Sequence, residues 1–156
     1  MGFLVSGLIV LASGYSVSSP LLAKERGGRA AYVGGTVAAL SSRAQGSIDT
    51  TDQHDFVFQS KAATVRIPYA SIKLLEYGQK VNRRYAMAVL VSPVFLLSKA
   101  RRHFLTVAYT DPDGSQQALV FQVDKDDIRS VLVTLEVKTG LKVQFQDEEA
   151  RKAGKG

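Results

Sequence analysis

Within the core of this chain apolar and polar residues alternate with a dominant period of two, and one C-terminal stretch switches to a helical period. That pattern restricts the fold to strands first and a covering helix last. Asp55-Phe56-Val57-Phe58-Gln59 and Ala63-Thr64-Val65-Arg66-Ile67 are β-branched and aromatic runs around Ser60-Lys61, which reads as a hairpin. Ile72, Leu74 and Glu76 alternate with Lys73, Leu75 and Tyr77, and Gly78 ends that run. The stretches 103–109 and 117–123 meet across Asp111-Pro112-Asp113-Gly114, where proline presets a turn and glycine supplies the positive φ that closes it.

Ile128, Val131, Leu132 and Leu135 fall at i, i+3, i+4 and i+7, and predict one amphipathic helix. Asp124 is the expected cap at its start, with Asp127 three residues on, and Gly140 the expected stop. Leu141, Val143 and Phe145 alternate again and predict a short last strand. The fold class is therefore mainly β (α+β): a small bent antiparallel sheet or barrel with one C-terminal helix.

With 156 residues and 46% apolar positions, the chain suffices for one domain and its core. The boundaries read as a signal peptide or N-terminal apolar anchor over 1–23, a linker over 24–29, a β domain over 30–145 and a disordered charged tail over 146–156. The apolar run 3–12 is about half the length a bilayer core requires, which suits a secretory h-region. Ala12-Ser13-Gly14 and Ser16-Val17-Ser18 offer small residues at cleavage spacing, and the nearest cations, Lys24, Arg26 and Arg29, lie after the run. An uncleaved tether or an apolar first helix is the alternative. The expected location is exported, periplasmic or envelope-associated.

The Ile67-Pro68-Tyr69-Ala70-Ser71-Ile72 turn into a strand, Leu75-Glu76-Tyr77-Gly78, the hairpin around Asp111–Gly114 and the helix ending at Thr139-Gly140 together resemble the pleckstrin-homology-like or GRAM-like fold. They resemble in particular small exported bacterial proteins of uncharacterised function. The resemblance implies a bent barrel of about seven strands plugged by a C-terminal helix, and a binding or scaffolding role. Eukaryotic members of that fold often bind phosphoinositides through basic residues of the first hairpin loop. The corresponding loop here, Ala39–Gly46, holds one cation, Arg43, so no ligand site transfers.

Charge points elsewhere. The chain carries 20 Lys and Arg against 14 Asp and Glu, a formal +6. Between Lys73 and His103 stand seven cations and one acid, Glu76, so the whole excess is local to that stretch. Within it, Tyr85 to Ser98 has no charge in 14 residues, bracketed by Lys80, Arg83 and Arg84 before and Lys99, Arg101 and Arg102 after. An apolar stretch collared by cations suits a surface that is oily beneath and anionic above, because Lys and Arg meet lipid phosphates while the apolar side chains leave water. Interrupted by Ser92-Pro93, it is too short to span. The candidate contact residues are Lys80, Arg83, Arg84, Val89, Leu90, Val94, Phe95, Leu96, Lys99, Arg101 and Arg102, facing a membrane surface, anionic lipid or a protein partner. Two buried strands or a core helix explain the same run without any ligand. A nucleic-acid or polyanion binder using the same cations is the alternative function.

No residue set supports catalysis, a metal or a cofactor. Cysteine is absent, which removes thiolate ligands and nucleophiles. His54 and His103 each lack a partner at ligand spacing. Asp111, Asp113 and Gly114 begin like a calcium loop but the distal Glu is missing, and a hairpin turn accounts for them. Asp49, Asp52 and Asp55 form an acidic loop best read as a solvated turn. No Gly-x-Ser-x-Gly elbow occurs, and Gly34-Gly35-Thr36 lacks the lysine of a phosphate loop and instead suits a strand bend. The tyrosines read as barrel or rim packing. The expectation is a non-enzymatic binding module at the cell envelope.

Overall fold

The computed structural model describes residues 27–81, 90–91 and 102–155. The strands are β1 (Gly27–Gly35), β2 (Gln45–Asp49), β3 (Asp55–Ser60), β4 (Thr64–Pro68), β5 (Ile72–Gly78), β6 (Leu90–Val91), β7 (His103–Thr110), β8 (Gln116–Val123) and β9 (Gln144–Phe145). Helix α1 spans Ile128–Thr139 and α2 spans Glu148–Lys155. One sheet contains all nine described strands, in the order β4-β3-β2-β1-β8-β7-β5-β9, with β6 paired to β1 off that path.

The class is mainly β with helices at the C-terminal end. Four details depart from the expectation. Among the described residues β4 and β9 are not paired to each other, so the sheet is open. It is mixed, because β9 pairs parallel to β5 through Glu76↔Gln144 and Tyr77↔Phe145. The 146–156 tail, expected to be disordered, carries α2, with Ala150 and Gly154 buried. Strand β1 likewise begins at Gly27, inside the stretch read as a linker.

The sheet curls on itself. β3 and β8 are separated by two strands, which in a flat sheet would hold them about 14 Å apart. Yet Phe121 of β8 packs on Phe58 and Phe56 of β3 with ring centroids 4.8 and 5.7 Å apart, and on Tyr32 of β1 at 6.0 Å. The concave face so formed is closed by the stripe read from the sequence: Ile128, Val131, Leu132 and Leu135 are all buried against it. Helix α1 comes close to β1 because Gly28 has no side chain, and a Cβ there would stand 2.5 Å from Val131 Cγ2. Its N-cap is Asp127, not Asp124, and Asp124 instead offers its carbonyl to the Asp127 and Ile128 amides. Gly140 ends the helix in the left-handed conformation at φ 72°.

Both hairpins read from the sequence form. β3 and β4 pair from Asp55↔Pro68 to Gln59↔Thr64, and β7 and β8 from His103↔Val123 to Thr110↔Gln116. In the second turn the Asp111 carboxylate accepts the amides of Asp113 and Ser115 at 3.0 and 2.9 Å, with Gly114 at φ 83°. Gln117 donates to the same carboxylate and is the largest cause holding it below the usual aspartate range. A hydrogen-bonded turn therefore accounts for the residues that open like a calcium loop.

Candidate functional site

The basic, apolar stretch enters and leaves the body between neighbouring antiparallel strands. β5 ends at Gly78, which pairs with Phe104 of β7, and the Arg102 amide donates to the Gln79 carbonyl at 3.3 Å. Residues 80–102 are thus an insert closed at its base by main-chain hydrogen bonds. Lys80 is exposed at one side of this neck and Arg102 at the other, where its guanidinium donates to Gln122 Oε1 at 2.9 Å. Val81, the first apolar residue of the insert, is buried in a cluster with Val33, Phe104, Ala118 and Val120. That cluster lies on the face of β1, β8 and β7 opposite the helix-covered core, since Tyr32, Leu105, Leu119 and Phe121 point the other way along the same strands.

The middle of the insert is tied to the sheet as well. β2 leaves β1 after the Ala31↔Gln45 pair, and Leu90–Val91 takes up the vacated edge further along through Gly35↔Leu90 and Gly34↔Val91. A register shift between Tyr32 and Gly34 bends β1 at this point. Gly35 is required by close approach: a Cβ there would meet the Ala118 carbonyl oxygen at 2.5 Å and the Tyr32 hydroxyl at 2.6 Å. The Gly34-Gly35 pair thus serves a strand bend and a third strand contact.

Of the contact residues expected from the sequence, Lys80 and Arg102 stand together at the neck and Leu90 takes part in β6 through its backbone. Arg83, Arg84, Val89, Val94, Phe95, Leu96, Lys99 and Arg101 lie outside the described residues. Among the described residues no helix is long and apolar enough to cross a membrane.

The other polar groupings are engaged within the fold. Asp52 Oδ1 accepts the amides of His54 and Asp55 at 2.9 and 3.0 Å, and its Oδ2 pairs with Arg66 at 2.9 Å. Those two amides, then the guanidinium, hold the carboxyl down to about 2. Lys138 of α1 donates to the Asp52 carbonyl and to Gln53 Oε1, so the acidic loop is bound by two of the chain's own cations. Glu76 is buried and accepts from Gln146 Nε2 at 2.9 Å beside an open depression of about 290 Å³ lined by Gln144 and Phe145. Among the described residues no three His, Cys, Asp or Glu side chains converge as metal ligands.

Sequence reading missed one pair. Tyr77 of β5 and His103 of β7 share a hydrogen bond, hydroxyl to Nδ1, at 2.6 Å. Their rings stack at 6.0 Å and 15°. Burial, then Lys125, holds the imidazole below its ordinary pKa, and burial pushes the Tyr77 hydroxyl up to about 12. The usable signal was the β5–β7 pairing itself, which sets Tyr77 opposite Leu105 and so within diagonal reach of His103.

The chain matches no family model and none of the curated proteins with which it was compared.

Proposed function

We propose that this protein is a non-enzymatic binding and scaffolding module of the cell envelope, with a pleckstrin-homology-like body and an insert, 80–102, that contacts a membrane surface. The strand order supports the choice of body. β1 to β4 form one meander and β5, β7 and β8 another, the two join through β1 and β8, and an amphipathic helix closes the concave side. β6, β9 and α2 are additions to that plan. Export, by a cleaved leader or an uncleaved tether over 1–23, places such a module where lipid headgroups are available.

The observation that carries the membrane reading is the charged neck. Exposed Lys80 and Arg102 flank the base of an insert whose full sequence holds six cations, no acid and one 14-residue uncharged run. Cations near an anionic leaflet contribute about 1 kcal/mol each, and buried apolar side chains add a salt-resistant part.

Flotation with anionic vesicles tests it. The native protein is expected to float and to stay bound as salt rises, whereas a purely electrostatic polyanion binder dissociates. A Leu90→Asp, Phe95→Asp double variant is expected to stay at the bottom of the gradient. Unchanged flotation of that variant removes the insertion, and loss of native binding at high salt transfers the neck to polyanion binding.

A further inference from the structure

We propose that Tyr77 and His103 form an acid-sensitive latch, which holds the C-terminal helix α2 on the body at neutral pH and releases it when the imidazole takes up a proton. This goes beyond the membrane reading and does not depend on it.

The latch stands on the way α2 is seated. Its backbone lies directly on three side chains: a Cβ added to Gly154 would be 2.6 Å from Phe145 Cε1, 3.2 Å from Tyr77 Cδ1 and 3.3 Å from Leu132 Cδ1. Tyr77 is fully buried, meets Phe145 edge-on at 5.9 Å, and receives the Gln146 amide on its carbonyl at 3.1 Å. Tyr77 is therefore the floor under α2, and its hydroxyl is fastened to His103. His103 follows Arg102, whose amide closes the neck, so the residue that fastens the seat of the helix is next in sequence to the base of the insert.

A neutral imidazole has one N–H and one bare nitrogen, and with its proton on Nε2 it leaves Nδ1 bare to accept the proton of the Tyr77 hydroxyl. An imidazolium has donors only, so its Nδ1–H would meet the hydroxyl oxygen and the hydroxyl would have to turn its own proton away from the ring and lose this partner. The charges around the ring oppose protonation further. Lys125 and Asp124 act from the β8–α1 turn and Arg129 from α1, two cations against one carboxylate, while Asp147 acts on Tyr77 from the start of α2. Arg129 also donates to the Ala153 carbonyl at 3.4 Å, which brings the same cation to the end of α2.

Burial is the largest cause that holds the His103 pKa below its ordinary value, followed by Lys125, with Arg129 adding and Asp124 opposing. A folded pKa below the unfolded one stabilises the docked state above the unfolded value, about 6.5, and the contribution is lost as pH falls through the folded value. One proton can change the ratio of open to docked helix by at most about tenfold per pH unit.

Amide hydrogen exchange of residues 150–154, corrected for the intrinsic pH dependence, reads that ratio. Between about pH 7.5 and about pH 5 the native protein is expected to lose about tenfold in protection there. His103→Gln is expected to change less than about twofold over the same range, and His54→Gln to follow the native protein. Tyr77→Phe, which keeps the ring that supports α2, is expected to flatten the pH response while the β7–β8 amides stay protected. An equal loss in native and His103→Gln proteins, or no loss in the native one, overturns the latch.

Discussion

The backbone amide of Arg29 donates to the Asp127 carboxylate at 2.9 Å, joining the start of β1 to the start of α1 across 98 residues of chain. The Asp127 side chain makes no hydrogen bond to the helix's own first amides and is spent on the strand instead. The return bond runs from the Asp124 amide to the Arg29 carbonyl at 2.9 Å. Asp127→Ala is therefore expected to lower stability by about 1 kcal/mol, mostly through loss of the charge-assisted hydrogen bond that ties the strand to the helix. The Arg29 side chain is 70% exposed, so its ion pairs with Asp124 and Asp127 add little. Urea denaturation should show a lower midpoint with an unchanged slope, and Asp127→Asn should recover part of the loss.

Gly154→Ala tests the seating of α2 through the sign of its effect. In an exposed helix interior this change stabilises by about 1 kcal/mol. Here the added methyl would stand 2.6 Å from a ring carbon of Phe145, so a net destabilisation of α2 is expected. Faster exchange of the Ala150 and Arg151 amides would report it, and slower exchange would show that the helix does not rest on Phe145.

Acid should weaken the 49–55 loop in a defined window. Asp52 is held down to about 2 by the His54 and Asp55 amides and then by Arg66, against an ordinary value of 3.8. Its folded pKa is depressed, so its contribution is present above the unfolded value and is lost as pH falls through about 2. Native stability is expected to drop as pH falls from about 4 toward about 2, and Asp52→Asn to flatten that drop while lowering stability at neutral pH. Thermal melts of the two proteins across that range check it.

Gly140→Ala is expected to cost about 1 kcal/mol and Gly140→Asn less, because the position has φ 72° and nothing lies within 4 Å of an added Cβ. The penalty is thus one of backbone conformation alone. Melting temperatures of the two variants separate it from a steric effect, which would penalise the larger asparagine more.

Elements whose information is local could be read without coordinates. The α1 stripe, the Asp111–Gly114 turn and the charge count over 73–103 each depend on neighbours within a few residues. Sequence reading places the loop of the first hairpin at 39–46, but the outer bounds of β1 and β2 were hidden because Gly27, Gly28, Gly46 and Ser47 carry little strand propensity. The glycines are there for contact, since a Cβ on Gly27 or Gly46 would strike the carbonyl of Ile48 or Gln59 in the next strand. α2 was hidden for a related reason. Its cap, Asp147 Oδ1 accepting the Ala150 amide at 2.7 Å, and its acidic first turn and basic last turn are visible in the sequence. It lacks bulky apolar residues because its buried face, Ala150 and Gly154, must come down on aromatic rings. The Tyr77–His103 pair depends on strand register across 26 residues, which composition does not encode.

Strand β4 closes one side of the sheet with only five residues, and its last is Pro68, which has no N–H to offer. Arg66 stands out from the same strand with its guanidinium already held by Asp52 and Asp55. A second molecule sliding alongside would find a short template with a missing donor and an engaged cation, so lateral stacking of open sheets into fibrils has a poor starting point on this flank.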